Sequence, residues 1–317
     1  MRTCIYLSYS GLGANLMHLS YCHEIAKKFG PITVLTLCKN FKDVVEDDPS
    51  IKEIIFLDRY TKKFIHVFKL SKILKKYKFD NIIIYYPSVR LYLAARLANI
   101  DHISIYPLFK KKGLHLVNAA KKLTEKFLNI ENCPTETKFF IKKSDLNNAI
   151  KNVNPDYFKI VIGAGSSGPT TRWGAKNFSN LINKLSTNGK YFFYILCGPN
   201  EKKIEDEIVS NLNKDNFLRL SDKSLKKVIP FLCASNLYIG NDSFGSHITA
   251  QSGIKSLVIL LDSPKSYTDY SKNHYRIIPK GYDISKITHG SNISPDLIKV
   301  EDVYYLVKKL EKTNQNY

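Results

Sequence analysis

The segment Gly240-Asn241-Asp242-Ser243-Phe244-Gly245-Ser246-His247 stands between two apolar runs, Leu237-Tyr238-Ile239 and Ser256-Leu257-Val258-Ile259-Leu260-Leu261. Both runs have the length and composition of buried strands, and Ser246 to Ser252 suits a short helix between them. An Asp, a hydroxyl, two glycines and a His therefore collect at the carboxyl end of a parallel strand, where open α/β sheets bind ligands. The free amides opening the next helix favour an anion such as a pyrophosphate.

Working outward, strand and helix patterns alternate in both halves. Thr3 to Ser8, Ile32 to Leu37, Ile54 to Leu57, Asn81 to Tyr85 and Ile103 to Tyr106 read as strands. Ala14 to Phe29, Lys62 to Tyr77, Arg90 to Ala98 and Leu114 to Leu128 read as helices. The pattern restarts near Asn152, with strands at Phe158 to Ile162, Tyr191 to Leu196 and around Phe217. Helices are expected at Asn177 to Leu185, Asn200 to Leu212, Leu225 to Cys233 and Val300 to Leu310. Repeated units of this kind give an α/β protein of two doubly wound, Rossmann-like domains facing one another across a cleft. The expected divisions are residues 1–153, 154–299 and a closing helical segment, 300–317.

At 317 residues, 44% hydrophobic and 24% charged, the chain supports two ordinary cores. It contains no uncharged apolar run long enough to span a bilayer and no signal-peptide pattern, so a cytoplasmic location is expected. Six scattered cysteines, without CxxC spacing, read as small core residues, and no metal site is expected. The net charge is +20, with 26 basic and 13 acidic residues before Val153 against 22 and 15 from there on. Such a surface draws polyanions. Lys62 to Phe79 holds seven lysines and no acid, interleaved with Phe64, Val67, Phe68, Leu70 and Leu74. A basic amphipathic helix of this kind suits a membrane surface, and equally a packed helix with a solvated lysine face.

Three further loops follow strands. Gly163-Ala164-Gly165-Ser166-Ser167-Gly168-Pro169-Thr170-Thr171-Arg172-Trp173 offers close backbone approach, hydroxyl donors and a forked cation, without the P-loop or GxGxxG pattern. In Cys197-Gly198-Pro199-Asn200-Glu201, Asn200 is a candidate helix cap. Glu201 serves either as a first-turn acid or as an acceptor for ribose hydroxyls. Gly11-Leu12-Gly13-Ala14-Asn15-Leu16-Met17-His18 opens the first helix, with His18 one turn beyond Ala14 and available for a structural or a catalytic part.

Together these pieces resemble glycosyltransferase family 9, the lipopolysaccharide heptosyltransferases. The motifs over Ile160 to Leu260 stand in the family's order and spacing. The resemblance implies the GT-B fold, its last helix returning over the first domain. It implies an inverting, metal-independent transferase without a cofactor. Its donor is a nucleotide sugar, usually ADP-heptose, held by the second domain. The first domain takes an anionic acceptor, lipid-linked or core oligosaccharide, through Gly13, Ala14 and Asn15. Peripheral contact with the cytoplasmic face of the inner membrane is then expected, and specific nucleic-acid binding is not. Gly165, Ser166, Ser167, Thr171 and Arg172 would line the diphosphate, and Glu201 would hold the ribose. Asp242, Ser243, Phe244 and His247 would surround diphosphate and sugar, with Asp242 also assigned a catalytic part. Two positions depart from the family pattern. Phe244 stands where glycine follows the Asp-Ser pair, and Ala14 replaces the aspartate that serves as general base, leaving His18 as the candidate base. A GT-B-fold epimerase and a binding protein without turnover are the alternatives.

Overall fold

The computed structural model describes residues 1–57, 63–107, 116–166, 168–187 and 189–313. The chain divides into two compact units, Met1–Thr137 and Lys138–Tyr317.

In the first unit the elements follow as β1 (Thr3–Leu7), α1 (Leu12–Leu16), α2 (Leu19–Phe29), β2 (Ile32–Thr36), α3 (Phe41–Val45), β3 (Ile51–Phe56), α4 (Val67–Tyr77), β4 (Asn81–Ile84), α5 (Val89–Leu97), β5 (His102–Ile105) and α6 (Leu116–Leu128). The strands form a parallel sheet in the order β3-β2-β1-β4-β5. Its central strands β1, β2 and β4 are buried throughout, as expected of strands covered by helices on both faces. The edge strand β3 is half-exposed. Leu70 and Leu74 of α4 join Ile82, Ile84, Leu91 and Ala94 in one core.

The single helix expected from Ala14 to Phe29 is two. His18 N–H donates to Asn15 O at 3.0 Å, a tightened turn that closes α1 before α2 begins.

The second unit runs α7 (Lys143–Ile150), β6 (Phe158–Gly163), α8 (Ala175–Thr187), β7 (Tyr191–Leu196), α9 (Lys202–Ser210), β8 (Phe217–Arg219), α10 (Leu225–Cys233), β9 (Leu237–Asn241), α11 (Phe244–Gln251), β10 (Ser256–Ile259), β11 (His274–Ile277) and α12 (Val300–Lys312). Its parallel sheet has the order β11-β10-β9-β6-β7-β8. The unit begins at Lys138, earlier than the expected division near Val153, because α7 packs on α10. The final helix, expected to return over the first domain, packs on α8, and its stripe of Val303, Val307 and Leu310 lies in the second unit's core.

The cysteines are free thiols, all buried but the half-buried Cys233. Among the described residues no helix is long and apolar enough to cross a membrane.

Candidate functional site

In the second sheet β6 and β9 are the neighbours at which strand order reverses. Crevices at such switch points receive ligands. The chain is built for close approach there. Gly163 and Gly240 face each other across the two strands, and a Cβ on Gly240 would lie 2.5 Å from Gly163 O. A Cβ on Gly163 would lie 2.0 Å from the Tyr238 hydroxyl, so the phenol fills the floor that glycine leaves. That hydroxyl donates to Asn241 O at 2.8 Å and lies 3.1 Å from Ser243 Oγ.

Above this floor, Glu201 gathers two loops. Its Oε1 accepts from Ser166 N–H at 2.9 Å and from Arg172 Nη2 at 2.7 Å. Its Oε2 accepts from Gly198 N–H at 2.8 Å. The carboxylate closes the Gly198 turn, so the cap expected of Asn200 is supplied by Glu201. A carboxylate offers about four lone-pair sites, which leaves one on Oε2 for a ligand hydroxyl. Gly165 is required beside it, since a Cβ there would meet Oε2 at 2.1 Å.

The hydroxyls of this loop are turned inward. Thr171 Oγ1 donates to Ser166 Oγ at 2.6 Å, and Ser166 Oγ donates to Gly168 O at 2.8 Å. They shape the loop that was expected to line a diphosphate. Ser167, expected beside them, lies outside the described residues. Asn241 joins this loop to β9: its Oδ1 accepts from Trp173 N–H at 2.9 Å and its Nδ2 donates to Ala164 O at 2.7 Å.

Asp242, the next residue, is the perturbed acid of the site. Its side chain is 9% exposed. Burial raises its pKa to about 6, against the smaller lowering effects of the Ser263 hydroxyl and the His289 charge. Its Oδ1 is buried without a hydrogen-bond partner, as is Arg172 Nε. His247 Nε2 stands 3.8 Å from Oδ1, outside hydrogen-bond range, while its Nδ1 meets the Tyr270 hydroxyl at 2.8 Å. Burial, with the neighbouring His274 charge, lowers His247 to about 3, so the ring is neutral at physiological pH. Ser243 stands at the N-cap position of α11 without a side-chain capping bond, and the opening amides belong to Phe244 and Gly245; the first turn of a helix leaves such amides without intrahelical acceptors.

The segment after β10 completes the wall, and the sequence reading passed over it. Asp262 Oδ2 accepts from Thr170 Oγ1 at 2.5 Å and Oδ1 from Ser291 N–H at 2.6 Å. Burial acts to raise this acid, but the Thr170 hydroxyl and the amides of 290–292 outweigh it and hold the pKa low. The signal was present, since Asp262-Ser263 follows a parallel strand just as Asp242-Ser243 does.

In the first unit the expected residues separate. Asn15, expected beside the acceptor, is buried, and its amide donates to Gly11 O and Tyr9 O and accepts from Thr36 Oγ1, so it holds the turn. Gly13 and Ala14 remain half-buried. His18 is 1% exposed, donates from Nδ1 to Ala14 O at 2.7 Å, and stacks on Tyr9 with centroids 5.1 Å apart. Burial lowers its pKa to about 4. A ring so enclosed is poorly placed to take a proton from an acceptor hydroxyl, and it packs within a cluster of tyrosines. Among the described residues, no group of three or more His, Cys, Asp or Glu side chains could hold a metal ion.

Two Rossmann-like units, the second with an arginine, opening helix amides and a buried carboxylate at its strand-order reversal, give the chain the GT-B fold. The family model for glycosyltransferase family 9 (heptosyltransferase) matches residues 104–285, and the chain belongs to that family. No curated protein matches it in sequence. Among solved structures it is similar to the Escherichia coli ADP-heptose lipopolysaccharide heptosyltransferase II, with a TM-score of 0.76 at 16% identity over 99% of this chain and 100% of that one. A family 9 glycosyltransferase from Veillonella parvula gives 0.78 at 19% identity over 98% and 96%. The E. coli heptosyltransferase WaaC with ADP gives 0.72 at 16% over 98% and 100%. At these identities the likeness is one of fold.

Proposed function

We propose that the chain transfers a heptose or related sugar from an ADP-linked donor to a hydroxyl of an anionic lipid-linked or core-oligosaccharide acceptor, with inversion at the anomeric carbon. One observation carries the reading. Arg172 Nε and Asp242 Oδ1, a donor and an acceptor, are both buried without partners in the second unit's crevice. Buried polar atoms of a native protein have partners, so each calls for one from outside the chain. A nucleotide sugar brings both, a phosphate oxygen for the arginine and a sugar hydroxyl for the carboxylate. The remaining lone pair on Glu201 suits a ribose hydroxyl.

The chemistry follows from where charge develops. As the anomeric bond breaks, negative charge grows on the departing nucleoside diphosphate. Arg172 and the opening amides of α11 supply positive charge there, and no metal is needed for it. The attacking hydroxyl must lose a proton, and residues 8–15 and 85–90, at the ends of β1 and β4, contain no carboxylate. The base comes from elsewhere in the first unit or from the acceptor's own anionic group. Relatives named as ADP-heptose enzymes support the choice of nucleotide. Thermal shifts with ADP, UDP and GDP test it: ADP at about 100 times its Kd adds about 2.7 kcal/mol. Absence of stabilisation by any nucleoside diphosphate overturns the reading.

Phe64, Ile65 and Phe68 are 65%, 76% and 69% exposed on the short 3-10 turn Phe64–His66 and the start of α4. Exposed Lys63, Lys69, Lys72, Lys75 and Lys76 surround them. We read this patch as a contact with the anionic cytoplasmic face of the inner membrane, each lysine contributing about 1 kcal/mol. Flotation with anionic vesicles should fail for the triple change of Phe64, Ile65 and Phe68 to Ser; equal flotation of that variant refutes the contact.

A further inference from the structure

The first sheet has its own switch point between β1 and β4. A cavity of about 130 Å³ opens there, lined by Tyr6 and Ser8 from the β1 end, Tyr86 and Ser88 from the β4 end, and Arg90 from the first turn of α5. Leu70 and Leu91 give its apolar side. None of the lining residues is acidic, and Arg90 Nη1 is buried without a hydrogen-bond partner. An unpaired buried guanidinium N–H is costly, which marks a place where a partner belongs.

The other donors converge on the same space. Ser8 Oγ accepts from the Tyr6 hydroxyl at 3.3 Å and so keeps its own proton to give. Ser88 is buried at the N-cap of α5, where its Oγ accepts only a long bond from Leu91 N–H at 3.4 Å. A guanidinium and two serine hydroxyls around a small hollow suit a compact group with several acceptor oxygens and negative charge. A hollow of this size has room for one such group.

We propose that this cavity is an oxyanion subsite that seats a phosphate or carboxylate group of the acceptor against Arg90, Ser8 and Ser88. The assignment rests on the reading that the first unit takes an anionic acceptor. It adds the chemical group recognised and the residues that select it.

The test uses the full chain with saturating ADP, so that the second unit's crevice is occupied. Glucose 1-phosphate, glucuronate and methyl glucoside serve as phosphate, carboxylate and neutral probes, followed by ligand-observed NMR. A charged probe should bind and the neutral one should not, and the comparison of the two acids identifies which group is preferred. Arg90→Gln should weaken the charged probe at least about tenfold, the loss expected for a hydrogen bond to a charged group. Arg90→Lys should fall between, and ADP affinity should be unchanged in both. Equal binding by a folded Arg90→Gln variant, or no binding of either acid to the unmodified protein, overturns the subsite. If the variants do not fold, tungstate soaked into crystals of the unmodified protein decides it. A tungstate within hydrogen-bond distance of Arg90 Nη1 supports the site, and tungstate found only elsewhere refutes it. Failure of ADP to bind is a separate result that removes the transferase reading and leaves the probe titrations interpretable.

Discussion

Replacing Asp242 with Asn should make the protein more stable at neutral pH while removing its activity. The carboxyl titrates at about 6 in the fold, against an ordinary 3.8, because burial disfavours its charged form. At about 1.36 kcal/mol per pH unit, ionising it in the native state costs roughly 3 kcal/mol. The side chain is 9% exposed, so little of that is relieved by solvent. Below pH 3.8 the group is protonated folded and unfolded, and the penalty is absent. As pH rises the unfolded chain ionises first, stability falls, and above about pH 6 the penalty is complete. Asn fills nearly the same volume and never ionises. For a unit the size of Lys138–Tyr317, a gain of about 3 kcal/mol raises Tm by roughly 6–12 °C. Thermal unfolding of both proteins at pH 4, 6 and 8 gives the comparison. An Asn variant no more stable than the parent at pH 8, or an advantage that persists undiminished at pH 4, refutes the reasoning. Loss of sugar transfer alongside the gain would identify Asp242 as a group held charged for function at the expense of the fold.

Three further outcomes are expected. His18, His247 and His274 are held by burial at about 4, 3 and 4, below the usual 6.5. The unfolded chain takes up protons below pH 6.5 that the fold refuses, so stability should drop towards pH 4 by up to about 4 kcal/mol per pH unit; circular dichroism of a His18→Asn variant should show that slope reduced by about a third. Gly165→Ala places a methyl on Glu201 Oε2; loss of that carboxylate's bonds to Gly198 and Ser166 should cost about 2–4 kcal/mol and weaken ADP binding in calorimetry. Ala14→Asp restores a carboxylate where the family carries its base, and a gain of about 100-fold in single-turnover transfer is expected; an unchanged rate would mean that the proton leaves by another route.

The sequence foretold the strand-end loops because glycine, proline and apolar runs report backbone demands directly. Gly240 to His247 was legible for that reason. Side-chain partnerships were not. Nothing local in Asn241 says that its amide will bridge Ala164 and Trp173, residues some 70 positions earlier. Glu201 looked like a choice between first-turn acid and ribose acceptor, and the fold uses it to close the Gly198 turn and hold the Ser166 loop while leaving one lone pair over. The enclosure of His18 was not legible, because proximity to Ala14 along a helix carries no measure of burial. The strand β11 was missed: only four residues long, it lies on the sheet edge beyond an irregular stretch that carries no periodic pattern.

The division between Thr137 and Lys138 also bears on how such enzymes can be recombined. Each half folds its own crevice at its own strand reversal, so a chimera joined at that seam exchanges the first half whole. A junction at the more obvious Asn154-Pro155 turn would import a foreign α7 and strip α10 of the helix packed on it. The break that looks natural in the chain is therefore the wrong one to cut.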